Sequence, residues 1–168
     1  MKKIPLSNGI DFAKVDDEDY ESLSRYTWHA SPRYVTNTRK VSGKTRSVLM
    51  HRMVMGLSSG GEIDHINGDR FDNRKENLRI CSKSQNNMNR GLSRKVKSSQ
   101  YKGVSRHVYP SGYHAWFATV TKNRKVVYHK IFHLELDAAK AYDRVAKSVF
   151  GKFACVNFSE AGHVFTRR

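Results

Sequence analysis

The chain of 168 residues is poor in cysteine, in acidic residues and in long apolar runs. Cys81 and Cys155 stand far apart with no Cys-x-x-Cys pair, so a thiolate zinc site is disfavoured and reduced structural thiols are expected. No stretch approaches the length of apolar sequence that a membrane helix needs, and the opening MKKIPLSNGIDF lacks the apolar centre of a signal peptide. A soluble, cytoplasmic protein is the expectation. Acid is the most telling shortage. Fifteen Asp and Glu face thirty-one Lys and Arg, for a net charge of +16 and a pI near 10.1. Such a field attracts polyanions, and nucleic acid is the commonest one in a cytoplasm. An anionic membrane would need an amphipathic helix with one cationic face, and the sequence shows none. What remains, 38% apolar residues at a mean hydropathy of -0.68, suffices for one compact domain or two small ones with modest cores.

The charge is unevenly spread. Residues 93–168 hold fifteen cations and four anions, residues 61–92 hold six and five, and residues 1–60 hold ten and six. A strongly anchoring C-terminal part and a more neutral centre follow from that division. The first fifty residues read as a small α+β unit. The acid run DDED suits a helix N-terminus, with Tyr20, Leu23 and Tyr26 on one side of a helix ending near Arg25. RYVTNTR and TRSVLMH read as a hairpin around Ser42-Gly43-Lys44. GLSSGGE is a break, and after it residues 62–90 are dense in Asp, Asn, His and Arg, as in a segment built around polar chemistry. SRKVKSSQ (93–100) has linker composition, with a reach of at most ~27 Å. Beyond it YKGVSRHVY, YHAWFATVT and KVVYHKIF are strand-like, parted by Pro110-Ser111-Gly112 and Lys122-Asn123-Arg124. LDAAKAYDRVAKSVFG is helical, with Ala138, Tyr142, Val145 and Val149 on one face and Gly151 past its end. A three-stranded sheet with one helix across it would bury both.

The string EIDHINGDRFDNRKENLRICSKSQNNMNR carries the chemistry. Asp64-His65 is followed twelve residues later by Asn77 and nine after that by Asn86. The pattern resembles the HNH nuclease motif, whose two short strands and helix form the ββα-metal fold around one divalent ion. The flanks suit it: Ile63–Ile66 as first strand, Asn77–Cys81 as second, and Ser82–Arg90 as a helix with serine at its start. The resemblance implies that Asp64 and Asn86 are metal ligands and His65 the general base. It gives Asn77 the task of bracing the loop and orienting His65. Asn86 stands where the family name has its second histidine, as in phage and intron-associated nickases.

Elementary chemistry agrees. Phosphodiester hydrolysis needs a base for water and a cation for the gathering charge. A neutral histidine is such a base near neutral pH, and hard oxygens suit Mg²⁺ or Mn²⁺ rather than zinc. Adjacent strand residues point to opposite faces, so Asp64 and His65 require a bend or must flank the metal. Asn87 is the ligand if the helix register slips by one. An EF-hand calcium loop is excluded, because Ile66 falls where an acid or amide is required. Arg70, Arg74, Lys75 and Arg79 surround the motif as candidate phosphate grips. His51 reads as a packed or capping histidine.

YKGVSRH, the WFATV strand, the helix and the closing VNF resemble the AP2 domain over about residues 100–158, in which a three-stranded sheet lies in the major groove. The resemblance implies DNA-facing places at Lys102, Ser105, His107, Tyr109, Thr119, Thr121, Val126 and Tyr128. Arg106, Arg124, Lys125 and Lys130 become phosphate contacts, and Trp116, Ala118 and Val120 helix-side core. Leu134 stands where that family has a capping threonine, and the plant pattern's Arg and Trp are replaced at many groove positions.

The fold class expected is therefore α+β: an HNH nuclease unit at 1–92 with its core at 50–90, a basic linker at 93–100, an AP2-like domain at 101–158 and a tail at 159–168. The whole looks like a free-standing homing endonuclease of bacteriophages, acting on double-stranded DNA in the host cytoplasm with one Mg²⁺ or Mn²⁺. One site favours nicks, and a homodimer is not required. The rivals are a DNA-binding regulator with an inert nuclease centre and a basic module that binds RNA or protein.

Overall fold

The computed structural model describes residues 1–32, 34–41, 43–91 and 98–158, which pack as two units, Met1–Lys83 and Ser84–Arg168. Most of the expected linker, the expected tail and Ser42 of the expected hairpin turn lie outside the described residues. The division falls earlier than residue 92, at the start of a helix.

In the first unit, strands β1 (Lys2–Pro5) and β2 (Phe12–Val15) pair antiparallel, joined by a turn that Asn8 ties through its side chain to the backbone of Ile10 and Asp11. Helix α1 (Asp17–Ser24) follows with Asp17, Glu18 and Asp19 in its first turn, where carboxylates meet the positive end of the helix dipole. Leu23 is the residue that α1 buries, and its carbonyl accepts the indole N–H of Trp28 at 2.8 Å. Strands β3 (His29–Ala30), β4 (Val35–Val41) and β5 (Lys44–Leu49) form an antiparallel sheet, so the expected hairpin is present. Helix α2 (Met50–Val54) buries Met50 and His51. The core gathers Ile4, Leu6, Ala13, Val15, Leu23, Trp28, Val35 and Met50.

Strands β6 (Glu62–His65) and β7 (Leu78–Cys81) form a separate antiparallel pair, with Asp64 opposite Arg79 and His65 opposite Leu78. Helix α3 (Lys83–Met88) comes next in the chain. Each element lies within a residue or two of its expected place. Asn77 closes a short 3-10 turn (Lys75–Asn77) instead of opening the strand.

In the second unit, β8 (Val104–Val108), β9 (His114–Lys122) and β10 (Lys125–Phe132) form an antiparallel sheet with β9 central. Helix α4 (Glu135–Phe150) crosses one face, and Ala138, Ala139, Ala141, Tyr142 and Ala146 meet Val104, Ala118 and Val120. Alanines let the helix lie close to the sheet. At Gly103 the approach is tightest, for a Cβ there would fall 2.0 Å from the Tyr142 ring, and φ is +73°. Trp116, Ala118 and Val120 face the helix as expected. Asp143 closes this unit, its carboxylate accepting the backbone N–H groups of Asn157 and Phe158 at 2.8 and 2.9 Å. Asn157 in turn accepts the N–H of Lys102 at 2.7 Å. Both cysteines are free and buried. Among the described residues no helix is long and apolar enough to cross a membrane.

Candidate active site

The β6–β7 pair sets Asp64 against Arg79, because antiparallel neighbours directly opposite share one face, with His65 the next residue of the strand. Asp64 is 6% exposed, and its Oδ2 accepts both the Nε and the Nη2 of Arg79, at 2.9 and 2.6 Å. Arg79, read from sequence as a phosphate grip, is thus an intramolecular partner of the expected metal ligand. Two N–H donors converge on one carboxylate oxygen in a place where an unpaired polar group would be expensive.

His65 is 5% exposed and turns to the other side of the pair, where its Nε2 lies 3.3 Å from Asn73 Oδ1. Asn73 Nδ2 donates to the Arg70 carbonyl at 3.3 Å, which fixes the amide with its oxygen toward the imidazole. An amide oxygen only accepts, so the proton of neutral His65 sits on Nε2 and Nδ1 is the basic nitrogen. Burial lowers the pKa of His65, while the Asn73 hydrogen bond and the Asp64 charge pull it back up. The net direction is down, toward an imidazole that is neutral and able to take a proton.

The loop that supplies Asn73 is stitched at several points. Asn77, 5% exposed, accepts the backbone N–H of Asn67 at 2.9 Å and donates to the Asp72 carbonyl at 2.8 Å, while its own carbonyl accepts the N–H of Ile66. Asp72 and Asn73 are fully buried, and backbone bonds from Lys14 to Phe71 and from Asn73 to Lys14 tie the loop to β2. Asn77 thus hydrogen-bonds at two points within the loop, and the side chain in contact with the His65 imidazole is Asn73. The sequence reading missed it because Asp72-Asn73 looks like ordinary turn chemistry. Its burial was the missing signal, and only the tertiary contact with β2 produces that.

Arg74 is also placed otherwise than expected. It is engaged by the carboxylates of Asp72 and Glu76, so it buttresses the loop rather than facing outward as a grip. Lys75 pairs with Glu18 and Asp19. Arg70 is exposed, with its guanidinium 5.4 Å from the Tyr34 ring centre.

Tyr34 links two histidines. Its ring lies 6.3 Å from His65, nearly parallel, and 4.8 Å from His51, and the two imidazoles meet edge to face at 5.2 Å. Burial above all, then the neighbouring charges of His65 and Arg52, depress His51 to about 4. Its Nδ1 has no hydrogen-bond partner among the described residues. His51 is packed, as expected.

Asn86 and Asn87 lie on α3 in the second unit, the first half-buried and the second exposed. Among the described residues no cluster of three or more His, Cys, Asp and Glu gathers into a metal cage. The donor chemistry nevertheless fits a hard divalent ion held sparingly, since Asp64 offers a buried carboxylate oxygen and burial keeps the neighbouring Cys81 a thiol rather than a thiolate.

In the second unit, Ser105, His107, Thr119, Thr121 and Val126 alternate away from α4, as expected of a groove-facing side. Tyr128 does not. A bulge between Val126 and Tyr128 reverses the alternation, and Tyr128 packs on the helix side. Lys102 turns its ammonium to the carbonyls of Met88 and Arg90, at 2.8 and 2.7 Å. Arg106 and Lys130 are exposed on the two outer strands, and Tyr109 packs on His107 and Tyr113.

The family model for HNH endonuclease matches residues 46–88, from β5 to the end of α3. An uncharacterised HNH endonuclease of Acanthamoeba polyphaga mimivirus is 30% identical over 154 residues, covering 87% of this chain and 74% of its own. No solved structure matches the chain. With the matched segment running through Asp64, His65 and Asn77, and the likeness extending over most of both chains, this protein belongs to the HNH endonuclease family.

Proposed function

We propose that this endonuclease nicks duplex DNA, with His65 as general base, Asp64 and Asn86 as metal-holding oxygens, and the second unit as an AP2-like anchor. The observation that carries the reading is the buried neutral His65, held through Nε2 by Asn73 and next in the strand to the buried Asp64 carboxylate that Arg79 holds. In the step proposed, Nδ1 of His65 removes a proton from water as the water oxygen attacks phosphorus. The bond from phosphorus to the 3′-oxygen breaks, the 3′-oxygen takes a proton from solvent, and the products carry 5′-phosphate and 3′-hydroxyl ends. A divalent cation, Mg²⁺ or Mn²⁺, would when bound offset the charge gathering on the phosphoryl and departing oxygens. Arg70, exposed near the site, is the side chain best able to meet a phosphate.

One site per chain cuts one strand per event, which suits the site-limited cleavage of a homing endonuclease acting in a host cytoplasm. The viral source of the relative is compatible with a phage-type origin. The test is His65→Ala. Nicking of supercoiled plasmid should fall by several orders of magnitude, with duplex affinity unchanged. Cleavage within a few-fold of wild type rejects His65 as the base. Intact binding by a wild-type chain that never cuts, at any Mg²⁺ or Mn²⁺ level, would favour an inert DNA-binding regulator.

A further inference from the structure

We infer that the exposed sheet face of the second unit reads thymine, by apolar contact with its C5-methyl group, and so prefers A·T-rich duplex. The inference rests on the proposed groove-facing role of that sheet and adds its base preference. Alternation along the strands places Phe117, Thr119 and Thr121 of β9 and Val126, His129 and Ile131 of β10 on the side away from α4, with Ser105 and His107 of β8 beside them. No Lys, Arg, Asn or Gln is among the described residues of this face. Those are the side chains that make paired hydrogen bonds to guanine and adenine in the major groove.

The polar atoms present are partly occupied within the sheet. The Thr119 hydroxyl lies 3.0 Å from His129 Nδ1, and the His129 ring stacks on Phe117 at 4.8 Å and 14°. His107 meets Phe117 edge-on at 5.9 Å. Held against one another, the rings lose little freedom on binding. What they leave outward is largely hydrocarbon: Val126 is 61% exposed and Ile131 53%. The one apolar group that base pairs offer in the major groove is the thymine methyl.

Charge complementarity says which polyanion covers the face. Residues 93–168 carry fifteen cations against four anions, with none of the described cations on this face itself. Arg124 stands at the β9–β10 turn, at the end of the face, while Arg106, Lys130 and Lys122 lie on the α4 side of the sheet by the same register, Lys122 donating to the Val149 carbonyl. Outer strands of a three-stranded sheet lie roughly 10 Å apart, against a major groove about 12 Å wide, so the neutral face could meet base edges while the positive field of the unit attracts the phosphates. The turn holds Asn123 and Arg124 at φ +50° and +64°, a conformation glycine adopts more readily than arginine. That an arginine occupies it puts a cation at the end of the face.

The test uses the full chain without divalent metal, so that nothing is cut, and a random pool of duplexes of about three helical turns. The bound fraction is recovered, sequenced, and copied with either thymidine or deoxyuridine triphosphate. Recovered sites should be rich in A·T, and the uracil copies should bind roughly tenfold more weakly at equal salt, as when two or three buried methyl groups are removed. Val126→Thr with Ile131→Thr should abolish that difference, so that thymine and uracil copies bind the variant alike. Equal binding of both copies, G·C-rich sites, or tighter binding of the separated single strands would overturn the inference. Ile131→Glu distinguishes the two levels of failure. If it weakens every duplex while thymine and uracil copies bind alike, the sheet faces DNA but does not read the methyl. If it changes no affinity, the groove-facing role itself is wrong.

Discussion

Asn77 carries two hydrogen bonds, one buried and one partly buried, whose loss can be valued separately. Asn77→Ala removes the acceptor for the Asn67 N–H and the donor for the Asp72 carbonyl, at 2.9 and 2.8 Å, in a place only 5% exposed. Each buried group so stranded costs roughly 1–2 kcal/mol, giving about 2–4 kcal/mol together. In a unit of this size a kilocalorie moves the transition by roughly 4–8 °C, so a fall on the order of 10 °C or more is expected. Asn73 rides on the same loop, so the imidazole it steadies should wander as well. If about half of that free energy is lost from the placement of His65, the nicking rate falls roughly tenfold. The assay is single-turnover nicking of a saturating duplex beside a thermal melt. The rate should drop while duplex affinity holds. Asn77→Asp should do no better than alanine, because it keeps the acceptor but sets a carboxylate oxygen against the Asp72 carbonyl. An Asn77→Ala protein that melts and cuts like wild type would refute the bracing role.

The ligand set and helix register are tested by nicking rate against metal concentration: Asp64→Ala should be inactive at any tolerable Mg²⁺, Asn86→Ala partly rescued by high Mg²⁺ or Mn²⁺, and Asn87→Ala near wild type. A dead Asn87→Ala with an active Asn86→Ala would move the ligand by one residue. His51 makes the first unit acid-sensitive. Its folded pKa, about 4, lies below the ordinary 6.5, so its contribution to stability is full above pH 6.5 and is lost as pH falls toward 4, by up to about 3 kcal/mol. His51→Phe keeps the ring contacts and should reduce the slope of melting temperature against pH over that window, leaving the share that belongs to the likewise depressed His65; an unchanged slope would locate the sensitivity elsewhere. Gly103→Ala should cost the second unit about 3 kcal/mol or more in denaturant unfolding, since it combines a positive φ with a Cβ driven into the Tyr142 ring. A loss under ~1 kcal/mol would show that α4 can shift away.

How far the sequence could be read follows from where each signal resides. Strands β8, β9 and β10 and helix α4 were legible because alternation and helical periodicity are local, and so were Asp64, His65 and Asn77, because fixed spacing is local too. Tyr128 was misplaced because one bulged residue reverses every later side chain, and nothing in KVVYHKIF announces a bulge. Arg74 and Arg79 looked like free cations. Their partners are Asp72 and Glu76 in the first case and Asp64 across the strand pair in the second. Charge composition gives the number of cations but not which of them are already neutralised. Asn73 was hidden more deeply still, because its role depends on burial against β2, nearly sixty residues earlier. A polar segment with few apolar residues has no core of its own to fix its loops, so backbone bonds to a neighbouring strand and buried amides do that work. Residues of this kind hold the chemistry in place without resembling it, and single-sequence patterns register them only as turns.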